Sequence, residues 1–313
     1  MTSPTPFATI ATALKLPGRT GTLEFLIGAV VVLTLVEMVF SYLENRKYYT
    51  RNDTLTNIYL NLVTFFINLS VKGATFFILN YCYGYRFFTI SNRWWYWIVL
   101  IVAQDFLYWL LHYTGHYCRL FWAMHVTHHS SEHFNFTTGF RSTVFEPLYR
   151  VFFYIPLALM GFTAIDILYA YLVTQIYGNM VHTQVRIRLP EWYSYLFVTP
   201  AHHRVHHASN IPYLDKNMGM VLIIWDRMFG TFQEELDTEE THYGLTKQPE
   251  DMGPVNVIFH EWKALLADVR RATRLRDKLG YLFMPPGWSH DGHSQTARVL
   301  QREYTQLQQD RRT

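Results

Sequence analysis

Charge is scarce in this chain. Asp, Glu, Lys and Arg make up 16% of its 313 residues, against about 25% in an average soluble domain, and aromatic residues reach 17%. The scarcity is uneven: apolar runs fill the chain before residue 185, and polar, charged stretches mostly follow. That split implies a membrane protein with a polar tail rather than one or two soluble domains. Cysteine is also rare, and Cys82 and Cys118 form no Cys-x-x-Cys pair, which excludes a disulfide framework or a thiolate metal site. Cys118 reads as a small apolar filler. There is no Gly-rich phosphate loop, no internal repeat and a net charge of only +3, so nucleotide and nucleic-acid partners are excluded.

Long apolar runs are present instead. Residues Met1 to Thr22 read as a disordered or surface-lying lead-in, and Phe25 to Phe40 as an uncleaved anchor carrying a single charge, Glu37. A polar turn from Glu44 to Asp53 leads to a second run, Leu55 to Asn80, interrupted only by Lys72. A third, Trp94 to Leu111, opens with the Trp94, Trp95 and Trp97 rings expected of an interfacial belt. From Val151 to Val181 the only charge is Asp166, and Gly161-Phe162-Thr163 breaks the run, so a helical hairpin returning to its starting side is expected. The fold class is therefore all-α: an integral membrane bundle of about four to five membrane helices, including the hairpin, with a cytosolic histidine-rich cap. Residues 23–232 are expected to form the membrane-embedded unit and 233–313 a polar cytosolic tail.

Histidine is what abounds. Eleven of fifteen lie between His112 and His207, grouped as His112-x-x-x-His116, His125-x-x-His128-His129, His182, and His202-His203-x-x-His206-His207. Helical residues three and four apart share a face, so each group can aim several ring nitrogens at one point. One such pair is ordinary, and its bland reading is a set of hydrogen-bonded core histidines. Three groups within a hundred residues would need more hydrogen-bond partners than the segment supplies, and metal binding is the expectation. A structural zinc takes about four ligands; roughly twice that number points to two metals with open positions. Glu132 and Glu146 are the only acids between His112 and Glu146, and no Glu-x-x-His pattern occurs there, which argues against a carboxylate-bridged soluble di-iron bundle. Imidazole alone does not name the metal.

Asp105 lies seven residues before His112 on nearly the same helix face. It is expected either to orient a metal-bound imidazole or to bond a neighbouring helix. Asn217 follows the last motif on a loop, within reach of a ligand or a metal-bound water. Arg46, Lys47 and Arg51 at the histidine end favour a cytoplasmic face weakly, since Arg86 and Arg93 lie at the other end.

The segments Asp105-Phe-Leu-Tyr-Trp-Leu-Leu-His112, Trp122-Ala-Met-His125-Val-Thr-His128-His129-Ser130-Ser131 and His203-Arg-Val-His206-His207 resemble the fatty acid hydroxylase / sterol desaturase superfamily of membrane di-iron oxygenases. The resemblance covers about Asp105 to Phe232. Through Asn135-Phe-Thr-Thr, Asp215-Lys216-Asn217 and Trp225-Asp-Arg-Met-Phe-Gly-Thr-Phe232 the chain looks most like the alkylglycerol monooxygenase branch and its bacterial relatives. It departs from that branch in the first motif, where Tyr113 and Tyr117 stand in place of the usual Arg and Glu. The resemblance implies two irons held by His112, His116, His125, His128, His129, His203, His206 and His207, with His182 as a further ligand. It also implies O₂, a membrane lipid substrate (fatty acyl, ether lipid or sterol) and hydroxylation of an unactivated C–H bond. No haem or flavin module is fused to the chain, so electrons are expected from a separate protein or reductant, tetrahydrobiopterin being one candidate. The membrane would be the inner membrane of a bacterium or the endoplasmic reticulum of a eukaryote. A desaturase would use the same site. A divalent-metal transporter is the remote alternative, because transporters hold ligands at the bilayer midplane and these histidines sit at the ends of apolar runs.

Overall fold

A computed structural model describes residues 19–90 and 94–310 of the chain. Arg93 and most of the expected lead-in lie outside the described residues, but the first helix already begins at Arg19, inside the stretch read as lead-in. The described residues form helices and irregular segments with no strand, only two isolated bridges. Helix α1 is Arg19–Leu43, α2 is Arg51–Tyr83 and α3 is Trp94–Tyr117. These three are long and apolar enough to cross a membrane. The protein covers little of them: the most apolar windows are 22%, 11% and 33% buried, and Val32, Val36, Phe65, Phe66 and Phe77 are exposed. Surface of that kind is stable against hydrocarbon and costly in water.

Helices α5 (Glu146–Met160) and α6 (Ala164–Met180) form the hairpin. At about 1.5 Å per residue each falls short of a bilayer core of about 30 Å. Even so, the turn reaches the far ends of α2 and α3: Phe87 N donates to Leu159 O at 2.7 Å, and the Tyr96 phenol donates to Asp166 at 2.8 Å. Gly161 makes the turn possible with φ of 105°, and a Cβ there would lie 2.3 Å from the Phe88 carbonyl oxygen. Asp166, the one charge of the run, is thus held in the turn and by its own N-cap Thr163. The hairpin packs on α2 and α3, with α1 against α6, around Leu79, Leu100, Leu157, Phe162 and Ile167. Glu37, the charge in the anchor, is buried and bonded to Tyr49, Thr183 and the Phe136 amide, tying α1 to the loops beside the histidines.

Between α3 and the hairpin lies α4, Arg119–His129. After the hairpin come α7 (Glu191–Leu196), α8 (Pro200–His207) and α9 (Ile224–Phe229), then α10 (Asn256–Arg271), α11 (Leu275–Phe283) and α12 (Ala297–Asp310). The last three follow the expected membrane unit and fold back beneath it. Both α10 and α11 pack on α4 through Ala123, Leu265, Ala272 and Tyr281. Arg119 clamps the contact, donating to Glu261 at 2.8 Å and Asp268 at 2.7 Å. Of the basic run in this region, Arg271 pairs with Asp268 and Asp291.

Candidate metal centre

Four stretches of chain deliver imidazoles to one place. The last two turns of α3 carry His112 and His116, α4 carries His125, His128 and His129, the end of the hairpin carries His182, and α8 carries His203, His206 and His207. Thr199 starts α8 where it does, because its hydroxyl accepts from the His202 amide while His202 Nδ1 accepts from the Thr199 amide. His202 is therefore a helix cap, set apart from the cluster. The nine others fall into two groups, His112, His116, His125, His129 and His206, and His128, His182, His203 and His207. Within each group every residue offers a ligand atom within 4.8 Å of the rest.

Ring nitrogens lie within hydrogen-bond distance of one another. His112 Nε2 lies 3.0 Å from His125 Nε2, which is 3.1 Å from His129 Nε2. In the second group His182 Nε2 is 2.9 Å from His203 Nε2 and 3.4 Å from His128 Nε2. The tautomers decide what these distances mean. His112 Nδ1 donates to Met218 O, His128 Nδ1 to Arg141 O, His182 Nδ1 to Gly178 O and His206 Nδ1 to Lys216 O, each at 2.8 Å. His116 Nδ1 donates to the Asp215 carboxylate at 3.1 Å. A neutral ring that donates through Nδ1 has a lone pair on Nε2, so these lone pairs converge. His116 Nε2, His206 Nε2 and His207 Nε2 are buried without a hydrogen-bond partner. Ligands bonded at about 2.1 Å to one ion sit about 3 Å apart, so the geometry of both groups fits a metal ion. Burial holds His125, His129, His182, His203, His206 and His207 well below the usual imidazole pKa and pushes His128 down to about 4. They are neutral at pH 7, the form that ligates.

The first group owes its orientation to one short strap. Asp215 holds His116, the Lys216 carbonyl holds His206 and the Met218 carbonyl holds His112. Asp215 and Asn217 both have positive φ, 53° and 55°, which turns successive groups of the strap toward the rings. Asn217 pins the strap: its amide donates to His202 O at 3.0 Å and Gln233 O at 2.8 Å and accepts from Gln233 N. The role expected of Asn217, bonding a ligand or a metal-bound water, is corrected accordingly, since all its side-chain bonds go to backbone. Asp226 pins the next residues, accepting from the amides of Met218 and Gly219, the Trp109 indole and the Thr231 hydroxyl.

Asp105 also supports the strap without touching an imidazole. It accepts from Val221 N at 2.9 Å, Leu222 N at 3.0 Å and Trp225 Nε1 at 2.9 Å. Seven helical residues correspond to about 10.5 Å along the axis, so sharing a face with His112 does not bring it within reach. The orienting carboxylate is Asp215, and sequence reasoning missed it, as it missed Asp226 and Arg141. Arg141 is fully buried on Thr127 O, Ser130, Asn57 and Asp53, which fixes the carbonyl that holds His128.

Two cavities reach the cluster. On the side of the C-terminal helices a cavity of ≈ 580 Å³ touches His116, His129, His206 and His207. On the membrane side a cavity of ≈ 60 Å³ touches His112, His128, His182 and His203, with Tyr108, Gln175 and Asn179.

Three helices long and apolar enough to cross a membrane, with eight buried imidazoles and the half-buried His128 gathered into two adjoining groups, define a membrane helical bundle with a candidate metal centre. Residues 97–231 match the fatty acid hydroxylase family model, and the similar proteins support the same superfamily. It is 33% identical to human alkylglycerol monooxygenase over 263 residues, 82% of this chain and 58% of that protein. It is 31% identical to the Xenopus tropicalis alkylglycerol monooxygenase, again over 82% of this chain and 57% of the relative. An ornithine lipid hydroxylase of Rhizobium tropici is 30% identical over 148 residues, 47% of this chain and 44% of that protein. The chain thus spans just over half the length of the alkylglycerol monooxygenases it matches. No solved structure matches it.

Proposed function

We propose that this protein is a di-iron lipid hydroxylase, which inserts one atom of O₂ into a C–H bond of a membrane lipid with electrons from an external donor. The observation that carries the reading is the pair of imidazole groups with converging lone pairs at the membrane end of the bundle. His112, His116, His125, His129 and His206 would hold one iron, and His128, His182, His203 and His207 the other. When bound, the iron pair supplies the O₂ activation that an unactivated C–H bond requires. The chain's own residues keep the rings neutral by burial, set their tautomers through the strap and Arg141, and confine the reacting end of the substrate to a small cavity. The relatives' names make an alkylglycerol the first substrate to try. The ≈ 580 Å³ cavity on the opposite side suits access of a reductant, whether a small molecule such as tetrahydrobiopterin or a docked protein.

We take residues 23–232 as the membrane-embedded unit and 233–313 as a polar tail that supports it. We take the site to lie at the cytoplasmic face, a reading supported by Arg46 and Lys47 between α1 and α2 and Arg51 at the start of α2, at the histidine end, since positive loops stay inside. The test is metal analysis of purified protein together with product mass after turnover in isotopic O₂. Two irons per chain and one labelled oxygen in the lipid are expected. Loss of two hydrogens instead would identify a desaturase, and full metal with no oxidised lipid in reduced, aerated membranes would overturn the reading.

A further inference from the structure

The small cavity carries a feature that metal binding does not use. Gln175 and Asn179 sit one turn apart at the end of α6, and both line the cavity beside His182 and His128. Gln175 Nε2 and Asn179 Oδ1 are buried and have no hydrogen-bond partner. The Gln175 amide interacts with the Tyr108 phenol, which shares the cavity, but makes no hydrogen bond of full geometry. A buried polar group without a partner costs about 1–3 kcal/mol. Two such groups on one wall of one cavity call for a ligand.

Their chemistry is complementary: one offers an N–H donor and the other a carbonyl acceptor, and exchanging the oxygen and nitrogen of both amides leaves the same pair. The surroundings preserve the space. Gly139, Gly178 and Gly219 form part of the lining, and a Cβ at Gly139 would lie 2.4 Å from Asn179 Nδ2 and 3.1 Å from His182 Nδ1. At ≈ 60 Å³ the cavity admits a few heavy atoms, well short of the roughly 300 Å³ at which whole-ligand pockets begin. Only one short, polar part of a lipid fits beside the histidines.

Resting on the hydroxylase reading, we propose that Gln175 and Asn179 are specificity-determining residues that grip a hydroxyl group on the lipid within a few bonds of the carbon oxidised. A hydroxyl uses both amides at once, accepting from Gln175 Nε2 and donating to Asn179 Oδ1. The substrate class is then a lipid functionalised next to the reacting carbon, as opposed to a plain hydrocarbon tail attacked in its middle.

The test measures binding first and turnover second. Metal-loaded protein in nanodiscs is titrated with a 1-O-alkylglycerol and with its dideoxy analogue, the alkyl propyl ether of the same chain length. Each titration is repeated for Gln175→Leu and Asn179→Leu, and metal content establishes that each variant is folded. Wild type should bind the glycerol ether at least about tenfold more tightly, the effect of one buried hydrogen bond. Either variant that keeps its metal should lose most of that preference by weakening for the glycerol ether alone. Equal affinity for the two lipids, no binding of either, or a preference intact in the variants would overturn the assignment. Product analysis of the same samples in air with reductant reports separately on the oxygenase reading: discrimination without product would sink that reading and leave the recognition standing.

Discussion

Asp215 is the residue on which the first imidazole group leans most directly, because its carboxylate fixes the ring orientation of His116 at 3.1 Å. Carboxylates placed this way behind a metal-bound histidine set its tautomer and raise its basicity. Asp215→Asn should lower metal affinity at the first group about tenfold and spare the second, as read by site-resolved metal titration. Asp226 acts one step further back. Asp226→Ala leaves two buried amides, an indole N–H and a hydroxyl without their acceptor, so a loss of about 3 kcal/mol or more is expected. Chemical denaturation of the detergent-solubilised protein would measure it, and an unchanged midpoint would contradict the strap's dependence on that carboxylate. The histidines themselves were legible in the sequence because helical spacing is a local property, and i, i+3 and i, i+4 placement decides which rings share a face. Asp215 was not, since His116 lies 99 residues away along the chain; nor was Asp226, whose nearby partners lie in irregular backbone and whose fourth, Trp109, is 117 residues away. The two roles of Asp105 stayed open for a related reason: periodicity gives the face of a helix but not the distance along it, and the structure realises the bond to a neighbouring helix, through Trp225.

At the level of elements, the second hairpin helix matters for what it returns. It begins beside Phe88 and Tyr96, at the end of the bundle farthest from the imidazole cluster, and carries Gln175, Asn179 and His182 back to it. Gly161 is its hinge. Gly161→Ala would combine an unfavourable φ with a backbone clash, so the protein should melt earlier and lose metal from the His128 group first, checked by thermal unfolding followed alongside metal release. The hairpin itself was readable from one long apolar run broken near its middle. Its depth was not, because only the Phe87 and Tyr96 contacts fix where the turn lies. The long helices were read from length and hydropathy, the properties the bilayer selects. The strap between α8 and α9 has no periodicity to read; its geometry comes from two positive-φ residues that sequence pattern does not mark.

For the molecule as a whole, pH links the site to stability. Burial depresses the pKa of the histidines in the folded chain, to about 4 for His128 and His202, from the usual 6.5. The unfolded chain therefore binds protons that the folded chain excludes as pH falls below about 6.5. Stability is fully present above that value and drains as pH falls toward 4, and protons compete with metal over the same range. Melting temperature and metal retention, followed from about pH 7.5 to pH 5, should decline together. The C-terminal helices extend the same dependence. Because α10 and α11 form the outer support of α4 and Arg119 is their clamp, Arg119→Met should strand Glu261 and Asp268 and loosen the first group. Its expected signature is partial metal loss with the membrane helices still folded, read by metal analysis beside circular dichroism.

The convergence of lone pairs has a cellular corollary. Nine imidazoles crowded into one interior lack a common partner until a cation arrives, so, on the proposed reading, a newly made chain in a metal-starved cell would be poorly closed and open to proteases. Its steady-state abundance would then follow metal supply even with transcription held constant.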